Sequence, residues 1–504
     1  MPDIALRASG RDRVVVIGAG LGGLAAAIRL AVSGREVVVL EREPVPGGRA
    51  GRLERDGFTF DTGPSVLTMP GLIEELFELA GERIADHLQL ERLDPAYRAK
   101  FHDGSHLYVR ASVDAMRDEV AAVCGPAEAD RFVAFADHLR RLYETEYGHF
   151  IDTNFDSVLD LARPVVMTRL LRLGGFRRLY PLVAGHLRDW RLIRLFTFQA
   201  MYAGMSPYEA LGVYAIIAYM DSIAGVFFPA GGIHAVSRAL ADLAVRRGVD
   251  LRLGTAVAHV EVRAGRATGV RTVDGEVVTA GHVVVNADLP VAYRDLLGPE
   301  LTPRRVQRLR YSPSCVIVHL GLRGPLKDAA HHNIHFARDY RPSFDDLLAG
   351  RMQRDPSWFL TVPTQGDPSM APDGGAVGFH LLPAPNLRGD DIDWDARAPG
   401  ELRAALRRLE EAGYGLPEVV TSTVVTPADW ARQGMAAGTP FAASHHFLQT
   451  GPFRPRNVAP TVEGVVFAGS STVPGVGVPM VLVSGKLAAE RVLKDATPRR
   501  RRRS

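Results

Sequence analysis

The residues with the clearest chemical content lie near the start of the chain. Gly18-Ala19-Gly20-Leu21-Gly22-Gly23 puts glycine at the first, third and sixth positions of a dinucleotide-binding turn. Gly18 permits a tight turn, Gly20 lets a diphosphate approach the backbone, and Gly23 lets a following helix pack on the preceding strand. Free N–H groups and the positive dipole end of that helix would face the phosphates. A glycine-rich turn alone also occurs for purely structural reasons, so the flanking elements decide. Residues 14–17 are a short, apolar, β-branched run, as a parallel strand buried on both faces requires. Residues 24–31 read as the helix, and 37–40 as a second strand ending in Glu41, an acid placed to receive ribose hydroxyls.

Two further turns complete this pattern. Pro46-Gly47-Gly48-Arg49-Ala50-Gly51-Arg52 is a second glycine turn, in which Arg49 offers a planar donor fork to a diphosphate or else faces water. The stretch 58–65 reads as a strand closing in a turn at Gly63-Pro64, with Asp61 expected to bond backbone rather than carry a proton. Near the other end, residues 464–468 form an apolar strand that runs into a Gly-Pro-rich turn and a helix from about 479 to 493. Gly469 is placed to meet the diphosphate, and Gly477, Val478 and Met480 to present backbone donors to the ring edge of the cofactor.

The elements that must hold these turns follow from the whole chain. Its 504 residues exceed one simple core, and 46% hydrophobic with 23% charged residues marks a folded protein of at least two domains. A net charge of +3 gives no case for nucleic acid. Cys124 and Cys315 fit a reducing, cytoplasmic setting better than a disulfide. Residues 1–13 hold no apolar core, so no signal peptide is expected, and no window of ~20 uninterrupted apolar residues predicts a spanning helix. Helices are expected over 70–81, 112–124, 127–143, 235–247 and 399–412, the last with Pro399 at its start. Strands are expected near 88–93, 106–110, 249–262, 283–285, 311–322, 358–363 and 376–383, with a hairpin over 266–280. His331, His332 and His335 lack the spacing and carboxylate of a metal site, and none is assigned.

Residues 161–200 change character. Arg163, Arg169, Arg172, Arg177, Arg178, Arg188, Arg191 and Arg194 are interleaved with apolar side chains against one acid, Asp189. This suits a helix lying in a membrane surface, although an ordinary amphipathic pair with arginines facing water has the same composition. Arg499–Arg503 would add attraction to anionic lipid, or form an inert tail. The aromatic and methionine-rich run 196–219 fits either core packing or the wall of an apolar tunnel.

GAGLGGLAAAIRL, PGGRAGR, FDTGPS, the SPYEA…GVFFPAGGI block and the terminal FAGSSTVPGVGVPMVLVSGKLAA together resemble bacterial-type phytoene desaturases, of the carotenoid desaturase family among the amine oxidase-like flavoproteins. One departure is Thr472-Val473-Pro474-Gly475, where many members read Thr-His-Pro-Gly, so no role of that histidine carries over. The resemblance implies a Rossmann-like α/β FAD-binding domain, an α+β substrate domain and a helical membrane-associating region. It divides the chain into FAD-binding segments at 1–100, 225–290 and 456–494, a helical segment at 101–224, a substrate domain at 291–455 and a basic disordered tail at 495–504. FAD would be held by Gly18, Gly20, Gly23, Glu41, Gly48, Arg49, Gly63, Pro64, Val257, Gly469, Gly477, Val478 and Met480, with Val257 meeting the adenine. The implied activity is hydride transfer from allylic C–H bonds of a C40 polyene, phytoene, to FAD, with oxygen or a quinone as final acceptor. No catalytic base is assigned. The implied location is cytoplasmic, peripheral to the inner face of the cell membrane. Rival readings are a carotenoid isomerase, a desaturase of another carotenoid, and a non-redox module that binds prenylated proteins, as GDP-dissociation inhibitors do.

Overall fold

The β-branched run Arg13–Ile17 is the middle strand of a five-stranded, all-parallel sheet. Glu36–Leu40 and then Asp250–Arg252 lie on one side of it, and His282–Val285 and then Val465–Phe467 on the other. Both faces are covered, which explains an apolar run without alternation. Val14 and Val16 face the helices Leu21–Val32, His234–Arg246 and Val478–Asp495. Val15 and Ile17 face a second cluster built with Val283, Val285 and Phe467. The chain departs from the middle strand to one side and returns on the other, so a crevice opens between the carboxyl ends of Arg13–Ile17 and His282–Val285. Open α/β sheets bind ligands at such a switch point.

This computed structural model describes residues 12–157 and 164–495. The first and last helices pack in close contact. A Cβ at Gly485 would stand 2.3 Å from the carbonyl oxygen of Gly22, so the absence of a side chain there sets their approach.

A seven-stranded sheet stands beside the nucleotide sheet. Its order is Glu418–Val425, Ser314–Arg323, Ala376–Ala384, Trp358–Thr361, His332–His335, Tyr97–Lys100 and His106–Val109. Every pairing is antiparallel except that of His332–His335 with Tyr97–Lys100. This sheet takes strands from both sides of residue 100 and from the later block. The helices Pro126–Glu146, Leu179–His186, Trp190–Phe198 and Ala215–Ser222 close one side of the molecule. Among the described residues no helix is long and apolar enough to cross a membrane.

One local expectation needs correction, and two other stretches gain detail. The helix containing Pro399 is Trp394–Glu411, so the proline lies inside it rather than at its start. The side chain of Asp393 accepts the N–H of Ala396 and caps the helix a turn and a half earlier than Pro399. His332 and His335 lie within a strand, where His332 bonds the hydroxyl of Thr361 at 3.0 Å and His335 stacks on Trp358 at 3.7 Å. The basic stretch is no uniform surface. Arg191 pairs with Asp189 at 2.7 Å, while Arg194 donates to two carbonyls and stacks over Trp190 and Tyr340. Arg169, Arg172, Arg177 and Arg178 do face solvent. Arg163 and the tail 496–504 lie outside the described residues.

Candidate active site

The glycine turn is shaped around one side chain from the returning strand. Asn286 follows His282–Val285, and its amide approaches the carbonyl oxygen of Gly18 at 3.4 Å. A Cβ at Gly20 would lie 2.7 Å from Asn286 Nδ2, and one at Gly22 2.9 Å from its Oδ1. Gly18 has a φ of +97°, which a side chain would strain. A Cβ at Gly23 would lie 2.1 Å from the carbonyl oxygen of Gly18, so this glycine packs the helix onto the turn and does not line the cavity. The helix Leu21–Val32 has no side-chain N-cap, which leaves its first N–H groups to a ligand.

Glu41, buried at the end of its strand, accepts the N–H of Ala19 at 2.7 Å and that of Glu43 at 2.9 Å. It therefore ties the second strand to the glycine turn while keeping lone pairs for a further donor. Arg49 donates to the hydroxyl of Ser470 and lies 3.7 Å from the carboxylate of Asp288. Burial lowers the Arg49 pKa and raises that of Asp288, and their mutual attraction opposes both shifts. Asp288 also accepts the hydroxyl of Ser471 and the N–H of Ala436. Gly63 abuts this arrangement, since its Cβ would stand 2.0 Å from the carbonyl oxygen of Arg49. Asp61, just before it, accepts the N–H groups of Ile233 and His234 at 2.8 and 3.0 Å and starts the helix His234–Arg246. Burial pushes its pKa up to about 6.

The terminal turn is held from beneath by Arg454. This guanidinium is fully buried and donates to the carbonyls of Ser470, Thr472, Gln449 and Ala443. Burial brings its pKa down to about 10, with Tyr214 and Asp288 opposing. The side chain of Ser484 accepts the N–H of Gly469 at 3.1 Å.

One cavity of about 1240 Å³ runs along all these turns. Its wall includes Gly18, Gly20, Glu41, Gly48, Arg49, Gly63, Pro64, Val257, Gly469, Gly477, Val478 and Met480. Of the residues expected at the cofactor, only Gly23 stands behind the wall. The cavity continues into a chamber lined by Phe150, Met167, Leu170, Phe198, Met201, Tyr202, Leu211, Ile216, Ile217 and Met220. The aromatic run thus has two uses. Phe198, Met201, Tyr202 and Tyr214 line the chamber, whereas Phe196 packs on Phe132 and Phe135 in the core, and Tyr208 stacks on Tyr180.

Sequence reasoning did not single out Asn286, Asp288, Arg454, Glu146 or Asp221. Asn286 directly follows an apolar strand, as Glu41 does, with Asp288 two residues further on, and that parallel position was a usable signal. Glu146 and Asp221 are buried acids on the chamber wall. Asp221 accepts the hydroxyl of Tyr97, and burial pushes its pKa up to about 7. The Glu146 pKa is raised well above the ordinary carboxylate range by burial alone.

A parallel sheet with its glycine turn at the switch point, an arginine turn beside it and an adjoining apolar chamber define a dinucleotide-dependent oxidoreductase. The sequence matches the family described as flavin containing amine oxidoreductase over residues 21–493, and the chain belongs to that family. It is similar to a phytoene dehydrogenase of Streptomyces griseus, 50% identical over 95% of each chain. It is also similar to a zeta-carotene-forming phytoene desaturase of Myxococcus xanthus, 40% identical over 95% of this chain and 94% of that one. Among solved structures, an oxidoreductase from Methanosarcina mazei superposes with a TM-score of 0.62 at 20% identity, over 96% of this chain and 100% of that one. The protein is an FAD-dependent oxidoreductase, and its glycine cradle, Arg49 and the terminal turn fit a flavin dinucleotide.

Proposed function

We propose that the chain introduces C=C bonds into phytoene, towards lycopene, in carotenoid biosynthesis. The observation that carries this reading is the single cavity joining the dinucleotide cradle to an apolar chamber. The names and identities of the relatives support the choice of substrate. FAD, when bound, supplies the acceptor for a hydride from an allylic C–H. The residues of the chain then bind, orient and exclude water. Gly18, Gly20, Gly48, Arg49 and Gly469 hold the diphosphate, Glu41 the ribose, Val257 the adenine, and Gly63, Pro64, Gly477, Val478 and Met480 the ring. Met201, Tyr202, Phe198 and Ile217 hold the polyene in a fixed pose, and orientation of this kind supplies much of the rate.

Access is proposed from lipid. At ~0.8 kcal/mol per CH₂, a C40 polyene gains tens of kcal/mol on leaving water and almost nothing on passing from bilayer to an apolar chamber. The helix Pro164–Arg172 offers what such access needs. Val165 and Leu171 are 79% and 63% exposed beside Arg169 and Arg172, while Met167 and Leu170 line the cavity. Phe447 lines it as well and is 52% exposed. This supports a peripheral position on a membrane surface. We propose the inner face of the cell membrane, in the cytoplasm, with oxygen or a quinone as final acceptor. The segments 1–100, 225–290 and 456–494 would form the FAD-binding unit and 291–455 the substrate unit, the latter joined by the strands Tyr97–Lys100 and His106–Val109.

The deciding experiment is anaerobic incubation of the FAD-loaded protein with phytoene in liposomes and a series of acceptors. Products lacking pairs of hydrogens are expected, and a product with an unchanged hydrogen count would replace this reading with an isomerase.

A further inference from the structure

We propose that the carboxylate of Glu146 accepts the proton that leaves the polyene as each double bond forms. This rests on the desaturase reading. The balance is simple. One allylic C–H breaks and its electron pair leaves as hydride to FAD, which is the oxidant. The C–H on the neighbouring carbon breaks, its electron pair becomes the new π bond, and its proton bonds to a Glu146 oxygen, to be given up to solvent before the next cycle.

Three observations converge on this side chain. Glu146 is 4% exposed, yet it lines the cavity and its Oε1 has no hydrogen-bond partner. Among the described residues it forms no ion pair, and a carboxyl buried without a partner is costly to a fold that gains nothing from it. Its position is also unusual. It ends the helix Pro126–Glu146, and the chain continues in a π-helical turn, Tyr147–Ile151, a geometry that recurs at functional sites. Finally, the cavity that Glu146 lines is the same one that the glycine cradle, Tyr214 and the terminal turn line. Glu146 therefore faces a space continuous with the cofactor cradle.

The other carboxyl and the imidazole of the chamber are already committed. Asp221 holds the hydroxyl of Tyr97. His445 bonds the carbonyl of Ala203 through Nδ1 at 3.0 Å, and its Nε2 lies against Gly475. Burial favours the neutral acid at rest, so each turnover draws on the ionised form of Glu146, its proton having first passed to solvent. A cation developing on the polyene then favours that charge.

The test compares wild type, Glu146→Gln and Glu146→Asp, each loaded with FAD and given phytoene in liposomes. Flavin content, liposome binding and single-turnover flavin reduction are measured with substrate deuterated at the carbon that loses the proton. Glu146→Gln is expected to keep flavin and lipid binding while flavin reduction slows by about 100-fold or more. The isotope effect at that carbon should grow, which a merely structural role would not produce. Reduction within about threefold of wild type, or a slowed rate with an unchanged isotope effect, overturns the proposal. If Glu146→Gln fails to load FAD, Glu146→Asp decides, because a displaced acid must also enlarge the isotope effect. An inactive wild type would instead sink the phytoene reading itself.

Discussion

The guanidinium of Arg49 lies 3.7 Å from the carboxylate of Asp288, joining the turn after the second strand of the parallel sheet to the end of its fourth. The acid is fully buried and the base partly so. The pair fixes the donor fork of Arg49 before any diphosphate arrives, and orientation of this kind lowers the cost of binding. Asp288→Asn is expected to weaken FAD binding at least about tenfold and to cost about 2 kcal/mol of stability. Flavin fluorescence titration and denaturant unfolding check these two effects. Arg49→Lys keeps the charge but loses the fork, and should recover only part of the affinity.

Two glycines give opposite expectations. Gly23→Ala drives a methyl to 2.1 Å from the backbone oxygen of Gly18, and should abolish flavin incorporation and lower the yield of folded protein. Gly71→Ala meets no atom within 4 Å at the start of the helix Gly71–Leu79. It should be neutral or raise stability by up to about 1 kcal/mol. Thermal unfolding of the two variants side by side separates close approach from mere glycine content.

Buried histidines make stability depend on pH. His319 sits between Phe60 and Phe379 with neither ring nitrogen partnered, and burial brings its pKa down to about 4. The unfolded chain takes up a proton near pH 6.5 that the folded chain refuses until about pH 4. The stability due to the neutral ring is therefore full above pH 6.5 and is lost as pH falls through that window. Asp61 and Asp221, raised to about 6 and about 7, act in the opposite sense, so the difference between variant and wild type is the measurement. His319→Phe should remove the slope of one proton between pH 6.5 and 4, worth about 3 kcal/mol at most.

The exposed apolar residues of Pro164–Arg172 should matter for lipid and not for folding. Val165→Asp with Leu171→Asp is expected to abolish flotation with anionic liposomes while leaving the melting temperature within about 2 °C of wild type. Arg169→Gln with Arg172→Gln should weaken flotation mainly at low salt.

What could be read from the sequence was local. The strand, glycine turn, helix and acid at 14–41 are contiguous, and each carries its own steric or chemical reason. The two far turns, at Arg49 and at Gly469 to Met480, were readable for the same cause. Asn286 and Arg454 were not, because their importance comes from what the fold brings beside them. The strands Tyr97–Lys100 and His332–His335 escaped for another reason: YRAK and HNIH are too short and too polar for alternation to register. Their edges are satisfied by pairing with each other, which no single segment encodes. The eight arginines of 161–200 looked alike in composition, yet Arg191 and Arg194 are spent inside the protein.

The contact of Gly22 with Gly485 has a consequence for biosynthesis. The glycine turn is synthesised long before the helix that packs on it. Until that helix emerges, the face of Leu21–Val32 that it covers has no partner. Flavin loading is therefore expected to wait until the helix Val478–Asp495 has been made.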